Sequence, residues 1–471
     1  MTAATYLNEP ARMRCLSGPV AWQYYLRFLR DPVDTHQTAL ARYGRLVALE
    51  RPLPIGRRRL NIMGVGPDLN RRVLTDAASF RTAGQTMLRG SPDSSMRRLR
   101  TGLTRLNGEE HARFRKISMP PLQKDQVDLQ HDCIVDVVRR ATERWPVGET
   151  ADVVGLLRTL TRTVAAAVLF GEDDASEILD VSQKIDTWFR GDRSAAVWLT
   201  PDLPGTSRAR MMRTTEQVEA QLRRWLARRR ERGTSGNDLV SLLLDARDEQ
   251  GEPIADATLV GQLFILLTAS HETASNTLSW TLLLLSQHRA VMADLLDELG
   301  SDPPSREQIE RLPLLDAVVS ESMRVLSPVP YILRVATREV EIGDLMVPEG
   351  SRVLLSLYLT HRLPELYEQP QRFIPERWHT LRRSAYEYMP FGAGPRRCIG
   401  SIFALRLMKI AVAVILQRYR LTPVDGARID RRVTFMMTPR NGLPMTIRRQ
   451  DRAFETVTLR GDIREMVEFP R

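Results

Sequence analysis

Apolar and polar residues alternate with the 3.6-residue period of an amphipathic helix over 123–146, 151–170, 207–231, 255–288, 290–299, 306–326 and 400–417. Strand-like runs are short and fall near the two ends of the chain, at 46–50 and 60–64 and again at 339–342, 352–357 and 444–448. Clusters of Pro, Gly, Ser and Asp mark loops at 91–94, 201–205, 233–237 and 302–304. The pattern predicts a mainly α fold with a small β subdomain, uninterrupted by internal repeats or an interdomain linker. Residues 450–471 mix charges of both signs with scattered apolar residues such as Phe454, Val457 and Ile463, and form either a tail or a docked extension.

The most membrane-like stretch, 259–285, contains His271, Glu272 and Asn276, so a long buried helix describes it better than a membrane span. Residues 1–16 carry Glu9, Arg12 and Arg14 and no continuous apolar run, which predicts neither a signal peptide nor a transmembrane anchor. With 471 residues, 43% hydrophobic and 27% charged, the chain is long enough and apolar enough for a large core. A formal net charge of +11 suits an acidic partner, an anionic membrane surface or nucleic acid. The arginines of 97–105 and 223–232 are dispersed, without zinc-finger spacing or interleaved aromatics, which argues for solvated helix faces and against nucleic acid. Cys15, Cys133 and Cys398 are odd in number and lack CxxC spacing. That excludes a disulfide framework and a structural zinc site, and predicts a reducing, cytoplasmic compartment.

One short segment changes the picture. Phe391-Gly392-Ala393-Gly394-Pro395-Arg396-Arg397-Cys398-Ile399-Gly400 runs directly into a helical pattern from Ser401. A cysteine beside two arginines, just before a helix N-terminus, has the positive surroundings that favour a thiolate. Gly394 and Gly400 remove the Cβ atoms that would hinder a close approach to the sulfur. The segment resembles the FxxGxRxCxG haem loop of the cytochrome P450 family at every fixed position. Glu321-Ser322-Met323-Arg324 and Phe373-Ile374-Pro375-Glu376-Arg377-Trp378 resemble, in family order, its ExxR helix and PERW segment. The i,i+3 spacing puts Glu321 and Arg324 on one helix face, and the resemblance adds Arg377 to complete a structural triad.

The resemblance implies a P450-like fold with haem b (iron protoporphyrin IX) between a long central helix and the helix after the cysteine. It also implies a single haem domain over 1–449 and Cys398 as the iron ligand, with Phe391 and Gly400 in the haem loop. Ala269-Ser270-His271-Glu272-Thr273 is similar to the family's acid–alcohol motif, so Glu272 and Thr273 are expected to deliver protons during oxygen activation. Ser270 stands where the family usually has glycine. His111 and Arg115 share a helix face and, with Arg334 and Arg396, match the family's partners for the haem carboxylates.

The function implied is an oxygen-dependent monooxygenase supplied with electrons by a separate ferredoxin or flavodoxin and its NAD(P)H-dependent reductase. The carrier would be acidic, docking on Arg113, Lys116, Arg396 and Arg397. Family resemblance also places Leu88, Met96, Leu99, Leu103, Trp198, Phe264, Leu267, Val329, Tyr331 and Ile332 around a mainly apolar small-molecule substrate of moderate or large size, such as a terpenoid, lipid or polyketide-like metabolite. Oxidative coupling on the same haem stays open as an alternative. A haem-based sensor is disfavoured, because the acid–alcohol pair is present and no output domain is seen.

Overall fold

The computed structural model describes residues 14–51, 59–82, 94–100, 102–192, 200, 202–233, 238–247 and 251–470. The helices that frame the site are Gly18–Arg30 (α1), Gly108–Ser118 (α2), Val153–Phe170 (α3), Ala175–Asp192 (α4), Asp256–Ala269 (α5), Glu272–Gln287 (α6), Pro313–Val325 (α7) and Ser401–Arg418 (α8). Their ends follow local chemistry. Asp152 caps α3 by accepting from the Val154 N–H at 3.1 Å, and Gly171, at φ +94°, ends it. Pro313 starts α7, separating it from a 3-10 turn at Gln308–Arg311 and dividing the helix expected over 306–326.

The expected central helix is corrected in the same way. The stretch 255–288 is two helices, α5 and α6, parted at Ser270–His271. Side chains take over backbone carbonyls at the break: Thr273 Oγ1 donates to the Ala269 carbonyl at 3.3 Å, and Thr161 Oγ1, from α3, donates to that of His271 at 3.1 Å. Helix α3 is long and apolar enough to cross a membrane, but 67% of it is buried within the protein, as befits a core helix. Together α3, α6 and α8 carry much of the main core. Phe454, Val457, Ile463, Met466 and Phe469 pack on that core, so residues 450–470 lie docked along it.

Six strands form the larger sheet: Arg14–Leu16 (β1), Leu46–Glu50 (β2), Leu60–Gly64 (β3), Phe80–Thr82 (β4), Tyr331–Ala336 (β5) and Arg352–Ser356 (β6), in the order β1-β2-β3-β6-β5-β4. Periodicity alone does not reveal β5, which follows Pro330 and carries Arg334 opposite Val353. A smaller sheet joins Tyr419–Pro423, Pro444–Arg449 and Thr150–Asp152.

A buried ionic cluster ties α7 to the segment leading into the cysteine loop. Glu321 and Arg324 are fully buried and meet through two 2.8 Å hydrogen bonds. Arg377 Nε at 3.0 Å, Trp378 Nε1 at 2.8 Å and the Ile374 N–H at 3.0 Å complete the donors to this carboxylate. Arg324 then reaches the carbonyls of His361, Pro370 and Arg372 at 2.8–2.9 Å. His361 extends the link. Its Nε2 accepts from the Met389 N–H at 2.9 Å, so Nδ1 carries the proton and donates to Ser327 Oγ at 3.1 Å. Burial, with Arg324 and Arg362 nearby, lowers the His361 pKa to about 3, which keeps the ring neutral.

Burial pushes the Glu321 carboxyl up, but Arg324, Arg377 and the Ile374 N–H more than offset it, and its pKa lies below the ordinary 4.5. Its stabilisation is therefore present above about pH 4.5 and lost as the pH falls through the folded-state value. Glu321→Ala leaves two arginines without their buried partner and is expected to cost about 3–5 kcal/mol. Chemical denaturation of purified protein checks this; a change within about 0.5 kcal/mol would show that the cluster does not hold the fold.

Candidate active site

The cysteine loop is shaped by its own backbone. The Gly392 N–H bonds to the Met389 carbonyl at 3.0 Å, the Cys398 N–H to that of Phe391 at 2.9 Å, and the Ala404 N–H to that of Gly400 at 2.8 Å as α8 begins. Gly394 has φ +71°, and a Cβ there would lie 2.6 Å from the Leu74 carbonyl oxygen. Glycine is required on both counts. A Cβ on Gly400 would meet no protein atom within 4 Å, so no protein contact requires that glycine.

Cys398 is exposed along one side. Its protein surroundings still push the thiol above the ordinary value, and this burial effect outweighs the lowering by the Gly400 N–H, Arg115 and Arg397. The polypeptide alone therefore keeps the sulfur protonated, and an electrophile must bind it to favour the thiolate.

Cations converge beside the loop. His111 is lowered to about 4 by burial, then by Arg396, Arg115 and Arg334, so it is neutral at pH 7. Arg334 is lowered to about 10 by burial and by Arg396, and its guanidinium is hydrogen-bonded to its own neighbour's carbonyl, that of Leu333, at 3.0 Å. Arg396 is lowered by burial and Arg115, and donates to Asn107 Oδ1 at 2.8 Å and to the Leu106 carbonyl. Arg115 donates to the Arg397 carbonyl at 2.7 Å, joining α2 to the cysteine loop. Among the described residues, no carboxylate contributes to any of these shifts. Buried cations without an acid are costly, and this cluster suits a ligand with more than one carboxylate.

The segment 102–107 connects the loop to the central helices. Gly102 lies against Gly261 and Ile265, where a Cβ would meet Ile265 Cγ1 at 2.3 Å, and the Leu103 N–H bonds Gln262 Oε1 at 3.2 Å. Its far end receives Arg396. Five residues span roughly 17 Å at most, which bounds the separation of Gly102 and Asn107. Ile265, Ala269 and Thr273, at i, i+4 and i+8, keep accessible surface along one side of the helices at the break. Glu272 is half-buried beside them, and His271 is buried behind the break, its Nε2 3.3 Å from Asp186 Oδ1. Arg162 also contacts Asp186.

This placement revises the expected apolar lining. Met96, Leu99, Leu103, Phe264 and Leu267 are buried in the core, whereas Ile265, Leu266 and Ala269 occupy the accessible side. Val329, Tyr331 and Ile332 are half-buried, with Ile332 Cδ1 3.7 Å from the Cβ position of Gly392. Leu88 and Trp198 lie outside the described residues. Arg396 points inward and leaves the expected basic face to Arg397, Lys116 and the half-buried Arg113. Sequence spacing gave no sign of His361 or of the His271–Asp186 contact, since each depends on residues distant in the chain.

The family model for cytochrome P450 matches residues 56–444. The chain belongs to the cytochrome P450 family. Cytochrome P450 137 of Mycobacterium tuberculosis is 32% identical over 355 residues, 72% of this chain and 71% of that protein. Cyclooctat-9-en-7-ol 5-monooxygenase of Streptomyces melanosporofaciens is 30% identical over 375 residues, covering 77% and 80%. A cyanobacterial P450 solved with retinoic acid bound superposes with a TM-score of 0.78 at 26% identity, covering 90% of this chain and 96% of that one.

This P450 is a haem b-dependent monooxygenase. Its residues fit the cofactor: a cysteine at the mouth of a glycine-shaped loop answers an iron, and buried arginines without acids answer two propionates. Gly394→Ala places a Cβ on the Leu74 carbonyl in a left-handed backbone. It is expected to lose about 1–3 kcal/mol of stability and to retain less haem after purification. The ratio of Soret to protein absorbance measures the retention; a ratio equal to wild type would show that the loop tolerates the side chain.

Proposed function

We propose that Cys398 ligates the haem iron, that Arg334, Arg396 and His111 hold the propionates with Arg115 assisting, and that Glu272 and Thr273 manage protons on the opposite face. The observation carrying this reading is a cationic cluster beside the cysteine loop in which no carboxylate among the described residues takes part. Haem held there would supply electron transfer and oxygen activation, and a thiolate from Cys398 would favour O–O cleavage. The Gly400 N–H, Arg115 and Arg397 stabilise negative charge on Cys398. Phe391 positions the cysteine through its carbonyl, and Gly400 leads into α8.

The Thr273 hydroxyl rests on the Ala269 carbonyl at the break, where a hydroxyl can receive a proton and pass it on by rotating. Glu272, half-buried beside it, supplies that proton from solvent. The substrate is mainly apolar, held by Ile265, Leu266, Ala269, Val329, Tyr331 and Ile332. The relatives support this: one is named for oxidation of cyclooctat-9-en-7-ol and another holds retinoic acid, each largely hydrocarbon. Electrons come from an acidic ferredoxin or flavodoxin with its NAD(P)H-dependent reductase, in the cytoplasm.

Thr273→Ala is expected to keep haem and substrate binding while product formed per reduced nicotinamide falls severalfold and peroxide rises. Product and peroxide assayed together decide it, and unchanged coupling would remove Thr273 from the mechanism. Lys116→Glu is expected to slow reduction by an acidic carrier at low salt, with the difference closing as the screening length falls from about 10 Å at 0.1 M toward 3 Å at 1 M. Stopped-flow reduction indifferent to both salt and charge would remove this face from docking.

A further inference from the structure

Helix α1 is apolar on two sides. Ala21 and Tyr24 face inward and are buried, yet Trp22, Leu26 and Leu29 on the other side are 42%, 62% and 78% exposed, and Val20 is 43% exposed. These are four of the eleven large hydrophobic residues exposed among those described. At 100° per residue, Trp22, Leu26 and Leu29 fall within about 60° of one another, forming a continuous stripe. A helix that covers only a protein core presents polar residues outward, so burial of the inner face does not account for this one. The charged residues of α1 are Arg27 and Arg30, both basic, with Arg30 about 40° beyond the stripe's edge. Arg27 pairs with Asp34 at 3.2 Å, and Arg30 is exposed.

We propose that α1 docks this protein on an anionic lipid surface, with Trp22, Leu26 and Leu29 entering the interface and Arg30 meeting the headgroups. Two features favour lipid over a second copy of the chain. The stripe is a single convex helix face offering a few hundred Å², well below the roughly 800 Å² per partner of a stable protein interface. The charged side chain at the stripe's margin, Arg30, is basic, opposite in sign to anionic headgroups and like the same residue on another copy. An in-plane amphipathic helix with Trp and Leu on one side and basic residues at its margin is a known form of reversible membrane attachment.

The test is flotation of the purified, haem-loaded full chain with large vesicles of equal phosphatidylcholine and phosphatidylglycerol, beside vesicles of phosphatidylcholine alone. The wild type is expected to float with the anionic vesicles and much less with the neutral ones. The variant carrying Trp22→Ser, Leu26→Ser and Leu29→Ser should lose about tenfold or more in vesicle partition. Its Soret spectrum and far-ultraviolet circular dichroism should be unchanged, because all three side chains are at the surface. Arg30→Glu should weaken binding to the anionic vesicles alone. Wild type remaining unbound, or the triple variant floating equally well, would overturn the proposal. So would a wild-type dimer in sedimentation that the triple variant converts to monomer, which would assign the stripe to a second copy.

Discussion

The carboxylate of Glu321 is the point on which the site depends. It is removed from water, and its two oxygens accept five hydrogen bonds from Arg324, Arg377, Trp378 and the Ile374 backbone. Neither the acid nor Arg324 would be stable there alone, since an unpaired buried charge costs several kcal/mol. Together they fix a helix to a segment built mainly of turns, with one short helix at Arg377–Thr380. From that segment His361 reaches Met389, and two residues later the cysteine loop begins at Phe391. The ionic cluster thus ties together a stretch where regular secondary structure is sparse.

The site beside it has the opposite character. Beyond burial, Arg396 depresses Arg334, Arg115 depresses Arg396, and all three depress His111, with no carboxylate among the described residues to relieve them. Burial also holds the Cys398 thiol protonated against the pull of Gly400, Arg115 and Arg397. In the proposed reading, one ligand carrying a Lewis-acidic metal and two carboxylates would remove both unfavourable features together. The Glu321 cluster is complete within the polypeptide, whereas the cationic cluster would be completed by the cofactor.

Much of this was legible in the sequence because the decisive residues are close in the chain or lie in a recognisable motif. The cysteine loop, the Glu321–Arg324 spacing and the helices over 151–170, 207–231 and 400–417 needed only local information. The division of the central helix did not show in the apolar period, which runs unbroken across Ser270 and His271. At the break Thr161, more than a hundred residues earlier, donates to the His271 carbonyl, a contact that local spacing does not reveal. For the same reason Phe264 and Ile265 could not be ranked as core and cleft, because adjacent residues of an apolar helix differ only in which way they point. His361 and Asp186 escaped notice since a lone histidine or aspartate carries no signal until folding supplies its partner.

The central claim is that the loop held in place by Glu321 presents Cys398 to the haem iron. X-ray absorption at the iron edge of the purified resting protein reads the iron's immediate neighbours directly. The account predicts one sulfur neighbour in the wild type and in Cys15→Ser and Cys133→Ser, and only nitrogen and oxygen neighbours in Cys398→Ser. A sulfur neighbour that survives in Cys398→Ser, or is missing from the wild type, would contradict it.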